Sequence, residues 1–241
     1  MWKLIFDHHT HTIFSHGKGT IEDNVKEARR KGLKSVGITD HGPGHLTYGV
    51  KRENLPVMRR EVDALNEKYS DIKVLLGVEA NIWEPGNHLD ITEEDKMYLD
   101  YVIAGYHYGV RNGHCVRNFV NWHTGKRTDR KLLRINTDMM VRAIEENDLY
   151  ILTHPGDKGP FDIDEVAKAC ERRNVLMEIN TKHPHLNEEE IRIAMKYDVK
   201  FVLSSDAHVP SNVGDVEAPL SRAMAAGLDP ARIVNLVWTE E

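Results

Sequence analysis

The chain has 241 residues, of which 40% are hydrophobic and 29% charged, with a formal net charge of −6. That balance suits a folded chain able to bury a core of good size, as one large domain or two small ones. An acidic balance argues against wholesale nucleic-acid binding, which depends on neutralising phosphates with Lys and Arg. No apolar run is long enough to span a bilayer, and the first residues read as a strand with no basic-then-apolar leader, so a cytoplasmic protein without a membrane partner is expected. Cys115, in a loop, and Cys170, in a helical pattern, give no disulfide framework and lack zinc-ligand spacing.

Short apolar runs alternate with helical patterns along the chain. Strands are expected at about 3–7, 35–39, 73–79, 101–107, 150–154, 175–180 and 201–205. Helices are expected between them, at about 21–31, 54–69, 137–147, 163–173, 188–197 and 219–226. Thr20 with Asp23 three residues on reads as an N-cap, Gly32 closes that helix, and Asp162 can cap the helix at 163. The stretch 108–136 reads as irregular. Alternating strands and helices mean βαβ units and a parallel sheet. With no linker rich in Pro, Gly or Ser, one closed barrel over residues 1–241 is preferred to two domains.

Histidines and carboxylates recur where these strands end. The first run ends in Asp7, His9 and His11, with His16 in the loop beyond. The second ends in Asp40 and His41, the third in Glu79, the fourth in His107 and the fifth in His154. The sixth ends near Glu178 and Asn180, and the seventh in Asp206 and His208. In a parallel barrel all these ends lie on one face, the face that carries active sites. A strand-end histidine taken singly is an ordinary surface group; six strands out of seven showing the pattern is not explained that way. Such a cluster would be costly to assemble without cations to offset the carboxylates. Nine ligands, His9, His11, His16, His41, Glu79, His107, His154, Asp206 and His208, suit two or three metal ions, with Glu79 available as a bridge. Asp7 and Asp40 read as groups behind the ligands that orient their imidazoles.

The motifs Asp7-His8-His9-Thr10-His11-Thr12, Ile38-Thr39-Asp40-His41-Gly42, Gly77-Val78-Glu79-Ala80-Asn81, Ala104-Gly105-Tyr106-His107, Thr153-His154-Pro155-Gly156, Glu178-Ile179-Asn180 and Ser205-Asp206-Ala207-His208 together resemble the PHP (polymerase and histidinol phosphatase) family. The likeness is strongest to its small stand-alone phosphatases. It implies a distorted seven-stranded β/α barrel with three divalent metal ions, Zn, Mn or Fe. It also implies a division of ligands: His9, His11, Glu79 and Asp206 for a first metal, His16, His41 and His208 for a second, and Glu79, His107 and His154 for a third. The gap from His11 to His16 is one residue shorter than in many relatives, which leaves His16 the least settled of the nine. His8 stands at an ordinarily apolar position and should face away from the metals.

Metals about 3.5–4 Å apart suit in-line displacement at phosphorus by a metal-bound hydroxide. The expected reaction is hydrolysis of a small phosphorylated metabolite, with no protein nucleophile and no catalytic residue beyond the ligands. A loop histidine such as His183 or His185 is a possible proton donor, though surface positions are the plainer expectation for both. The stretch 108–136 is basic, and Arg111 and Arg117 are candidates for binding phosphate from a lid; Lys182 is another. His45, His88, His114 and His123 receive no role. Ranked below this reading are histidinol phosphate as the specific substrate, then a phosphodiesterase or exonuclease with the same metal chemistry. An amidohydrolase or a metal-binding domain without catalysis stand lower still. Nothing in the sequence assigns an oligomeric state.

Overall fold

Val36, Ile38, Val74, Leu76 and Val78 come from runs apolar at successive positions, and each is at most 1% exposed. Strands buried on both faces read this way because helices cover the sheet on one side and the barrel interior fills the other. The computed structural model describes residues 1–83, 89–110, 114–125 and 130–240. Its strands are β1 (Trp2–Leu4), β2 (Phe6–Asp7), β3 (Ser35–Ile38), β4 (Lys73–Asn81), β5 (Tyr101–Gly105), β6 (Ile151–Leu152), β7 (Leu176–Asn180), β8 (Phe201–Ser204) and β9 (Leu236–Trp238). Strands β2 to β8 form one parallel sheet in chain order. Between β8 and β2 only an isolated parallel bridge joins Thr10 to Ala207, with the His11 N–H donating to the Ala207 carbonyl at 2.8 Å. The buried Asn235 side chain stitches the rest of that seam. Its Nδ2 donates to the carbonyls of Phe6 at 3.0 Å and Leu203 at 2.7 Å, and its Oδ1 accepts from the Leu203 N–H. The sheet is therefore a nearly closed, distorted seven-stranded β/α barrel, the architecture the sequence leads one to expect.

Helices α1 (Ile21–Arg30), α2 (Leu55–Lys68), α3 (Glu93–Lys96), α4 (Cys115–His123), α5 (Arg130–Glu146), α6 (Ile163–Arg173), α7 (Glu188–Ala194) and α8 (Glu217–Ala226) connect the strands. Thr20 and Asp23 form the expected capping box on α1, and Asp162 caps α6 by accepting from the N–H groups of Asp164 and Glu165. Among the described residues no helix is long and apolar enough to cross a membrane.

Three expectations needed correction. The first strand is two: β1 pairs antiparallel with β9, Trp2 opposite Trp238, and β2 begins only at Phe6. Strand β9 is three residues long, too short to show a period. Helix α4 lies inside the stretch read as irregular, because its apolar Val116, Phe119 and Val120 are exposed and its only buried residue is Asn118. No apolar stripe faces the core there. Helix α5 starts seven residues before the expected 137, and its first turns bury Leu132 and Asn136 among polar neighbours.

Candidate metal centre

Strands β2 to β8 all point their C-terminal ends at one face, so residues far apart in the chain meet there. His9 and His11 follow β2 at the i, i+2 spacing that puts two side chains on one side of an extended chain. Their Nε2 atoms lie 3.1 Å apart. His9 Nε2 is 3.4 Å from Glu79 Oε2 and 3.8 Å from Asp206 Oδ1, while His11 Nε2 is 3.1 Å from Asp206 Oδ1. Glu79, on β4, sits at the centre. Its Oε2 is 2.9 Å from His41 Nδ1; its Oε1 is 2.9 Å from His154 Nε2 and 3.2 Å from His107 Nε2. Thr153 Oγ1 donates to the same Oε1 at 2.9 Å. One carboxylate thus serves two groups of imidazoles, one per oxygen.

His16 reaches the cluster despite the short loop. Its ring centroid is 4.1 Å from that of His208 and 4.9 Å from that of His41, and it stacks on Tyr48 at 4.4 Å. His8 alternates to the other side, stacks on Phe6 at 4.1 Å and pairs its Nε2 with Ser35 Oγ at 2.8 Å. Burial pushes its pKa down to about 4, as expected of a neutral side chain packed away from the cluster.

Electrostatics divide the cluster. Burial alone would raise the Glu79 carboxyl, but the surrounding His107, His9 and His41 hold it well below the ordinary carboxylate range. Asp206 likewise lies well below its ordinary value, because His9 and His11 outweigh burial. Burial would lower His9, yet Glu178, Glu79 and Asp206 raise it well above an ordinary histidine. His11 and His107 go the other way, well below the ordinary value, chiefly through burial. His16 is pushed down to about 3 by burial and by the neighbouring His208 and His41.

Buried polar atoms normally find hydrogen-bond partners. Here Glu79 Oε2 and Asp206 Oδ1 make no well-directed hydrogen bond, although His41 Nδ1 and His11 Nε2 lie 2.9 Å and 3.1 Å from them, and the Nδ1 atoms of His11, His16 and His107 find no partner among the described residues. These atoms belong to borderline nitrogen and hard oxygen donors of the kind that hold Zn, Mn or Fe. Among the described residues, four groupings place their candidate ligand atoms within 4.8 Å of one another: His9-His11-Asp206, His11-His41-His208, His41-Glu79-His107 and His154-His183-Asp206. The donor set fits divalent cations.

Asp7 and Asp40 do a different job from the one expected. Asp7 accepts from Ser205 Oγ, from the Gly214 N–H at 2.8 Å and from the N–H groups of Ser205 and His9. Asp40 accepts from Ser15 Oγ and from Thr12, through its N–H at 2.8 Å and its Oγ1 at 2.6 Å. Neither carboxylate hydrogen-bonds an imidazole. Each is fully buried and fixes the backbone that carries the histidines, Asp7 at the barrel seam and Asp40 in the loop between His11 and His16. The carboxylate behind the His9 imidazole is Glu178 on β7. Its Oε1 holds His9 Nδ1 at 2.6 Å, and its Oε2 accepts from the His154 N–H at 2.7 Å and from Asn180 Nδ2 at 2.9 Å. Glu178 and Asn180 are polar at alternate positions of an otherwise apolar strand, a signal that could have assigned the role. His154 and Asp206 both adopt positive φ, +30° and +52°, uncommon for residues other than glycine and typical of functional sites that hold strain.

Above the cluster lies a cavity of about 210 Å³, lined by His16, His41, His107, His154, Asp206 and His208 below and by His45, Tyr48, Tyr108, Lys158, Lys182 and His183 above. His183 is half-buried: its Nδ1 is 3.0 Å from Asp157 Oδ2 and its Nε2 3.5 Å from Asp206 Oδ2. Lys158, which pairs with Asp157 at 2.5 Å, and His45 also stand in the wall, and sequence reasoning assigned neither. Lys182, the other candidate for binding phosphate, lines the cavity. Arg117 is exposed on α4 and does not line it. Arg111, His88 and the basic residues Lys126 and Arg127 lie outside the described residues.

Residues 7–182 match the family model of the PHP domain, and residues 184–217 match that of the PHP-associated region. The chain is 31% identical to a probable phosphatase of Proteus mirabilis (strain HI4320), over 95% of this chain and 89% of that protein. It is 32% identical to a probable phosphatase of Thermoanaerobacter sp. (strain X514), over 97% and 91% of the two chains. Among solved structures it is similar to a histidinol phosphate phosphatase of Lactococcus lactis, crystallised with zinc, L-histidinol and phosphate, with a TM-score of 0.63 and 16% identity over 93% and 94% of the chains.

Proposed function

The chain belongs to the PHP domain family, and from that premise we propose that it is a metal-dependent phosphatase hydrolysing a small phosphomonoester at this cluster. The observation that carries the reading is the placement of Glu79, whose Oε2 faces His41 and whose Oε1 faces His154 and His107, with no well-directed hydrogen bond to Oε2. His9, His11, Glu79 and Asp206 would hold one cation, His107, His154 and Glu79 another, and His16, His41 and His208 a third. Bound there, divalent cations supply Lewis acidity at the phosphoryl oxygens and a water acidic enough to attack phosphorus at neutral pH.

The protein's own residues supply position. Glu178 fixes the His9 ring through Nδ1, so that Nε2 faces the centre. Asp7 and Asp40 hold the chain on either side of His11. Lys158 and Lys182 place two ammonium groups in the cavity wall, suited to an anionic substrate. A cavity of about 210 Å³ matches a phosphoryl group with a small organic remainder. His183, held by Asp157, stands beside Asp206 at the edge where a leaving group would depart.

The test is phosphate release from a panel of phosphomonoesters, histidinol phosphate included, by protein reloaded with Mn or Zn beside a chelated control. Metal-dependent release is expected. A folded, metal-loaded protein that releases phosphate from none of them, or only from diesters, would contradict the reading.

A further inference from the structure

One cation in the cavity wall occupies a position that matters for metal binding itself. Lys182 follows β7, and its Nζ lies 3.0 Å from Nδ1 and 3.1 Å from Nε2 of His208. His208 Nδ1 is also 2.8 Å from the Asp206 carbonyl oxygen, an acceptor, so this nitrogen carries the ring proton and donates it there. The lone pair then resides on Nε2, the one that a cation held by His16, His41 and His208 would require. The ammonium, nearly equidistant from both ring nitrogens, packs over the ring face and sets its positive charge beside that position.

Two further features bear on this. The three donors of that set are neutral imidazoles, whereas the other two sets each include a carboxylate. A second positive charge within a few ångströms is therefore poorly offset by the set's own ligands. Lys182 also makes no ion pair with a carboxylate among the described residues, and it borders a second cavity, of about 310 Å³, that Thr181, Asn212 and Asp215 help to line. The side chain stands in the wall between two spaces; Asp206 lines both, and Asp215 adds a further carboxylate to the second.

We propose that the Lys182 ammonium competes with a divalent cation for the His16–His41–His208 set. That position is then the most weakly held of the three, and a phosphoryl anion relieves the competition by drawing the ammonium off His208. The proposal rests on the metal-dependent reading above and concerns the occupancy of its sites. Linkage makes the effect reciprocal: phosphate tightens the labile cation by the same factor as that cation tightens phosphate.

The experiment is a competition titration of metal-free, full-length protein with Zn²⁺ against a chromophoric chelator, with and without inorganic phosphate. Wild type is compared with Lys182→Met, which removes the charge at similar length, and with Lys182→Arg, which keeps it; circular dichroism confirms that each folds. The last equivalent should bind about tenfold more tightly in Lys182→Met than in wild type. It should stay weak in Lys182→Arg. Phosphate should tighten it by a larger factor in wild type than in Lys182→Met, where only the direct contact of phosphate with the cations remains. Equal affinities for the last equivalent in wild type and Lys182→Met, or equal enhancement of both by phosphate, would overturn the proposal while leaving the metal centre intact. Absence of any metal uptake would instead overturn the reading on which it rests.

Discussion

On one side of Glu79, the imidazoles of His9 and His11 are shut away from solvent and meet carboxylates in several directions: Glu178 behind His9, and Glu79 and Asp206 in front. On the other side, His16, His41 and His208 pack against one another and a lysine, with Glu79 Oε2 2.9 Å from His41 and Asp206 Oδ1 3.3 Å from His208, and the His208 side chain is 15% exposed. Carboxylates raise His9 well above an ordinary histidine, whereas burial takes its neighbour His11 well below, and His16 is pushed down to about 3 by burial among other imidazoles. Where anionic ligands surround a position, cation charge is offset and the site is strong. Where neutral imidazoles and an ammonium surround it, the same number of nitrogens makes a weaker and more adjustable site.

Substitutions can break or sharpen this contrast. The largest effect is expected for Glu79→Gln, which turns an amide against imidazoles and removes the charge shared by both groups. Elemental analysis should show cations lost on both sides, and kcat/KM should fall by at least on the order of 10³-fold, as for loss of a group that stabilises the transition state directly. Retention of full metal content would mean that Glu79 is not the bridge. Next comes Glu178→Gln. It leaves the ligands in place and weakens only the support of His9, so metal affinity on the buried side should fall by about 10–100-fold, with little change in the last equivalent bound. A loss confined to the last equivalent would reverse the comparison. His16→Ala should act on the exposed side alone, weakening only the last equivalent, by about tenfold, because one of its three imidazoles is gone. The smallest effect belongs to Arg117→Ala. Arg117 is exposed on α4 and outside the cavity lining, so KM should change by less than about twofold, within the range of ordinary surface substitutions. A tenfold rise in KM would restore a basic lid over the site.

The barrel and the convergence of the nine candidate ligands were legible because both depend on the simplest signals: apolar runs, and polar residues where those runs stop. His8 was legible for the same reason, since alternation along an extended chain sends it to the opposite side from His9. The supporting groups were harder. Asp7 and Asp40 sit next to the histidines in sequence, which suggested contact with the rings, but their hydrogen bonds go to loop and seam backbone and to hydroxyls. Glu178 does the orienting from a strand 169 residues away, a pairing that only closure of the barrel creates. Lys158 and His183 enter the cavity from loops, where no period marks which way a side chain faces. Lys158 moreover has a φ of +62°, which a residue other than glycine seldom adopts. Helix α4 escaped notice because its apolar residues face outward.

The most direct measurement is an anomalous difference map, at the zinc absorption edge, from crystals of the zinc-loaded protein. The account predicts two strong peaks at bonding distance, about 2.0–2.2 Å, from the two oxygens of Glu79. One is completed by His9, His11 and Asp206 and the other by His107 and His154, with a weaker third peak among His16, His41 and His208. Zinc bound away from Glu79, or a third peak stronger than the other two, would contradict it.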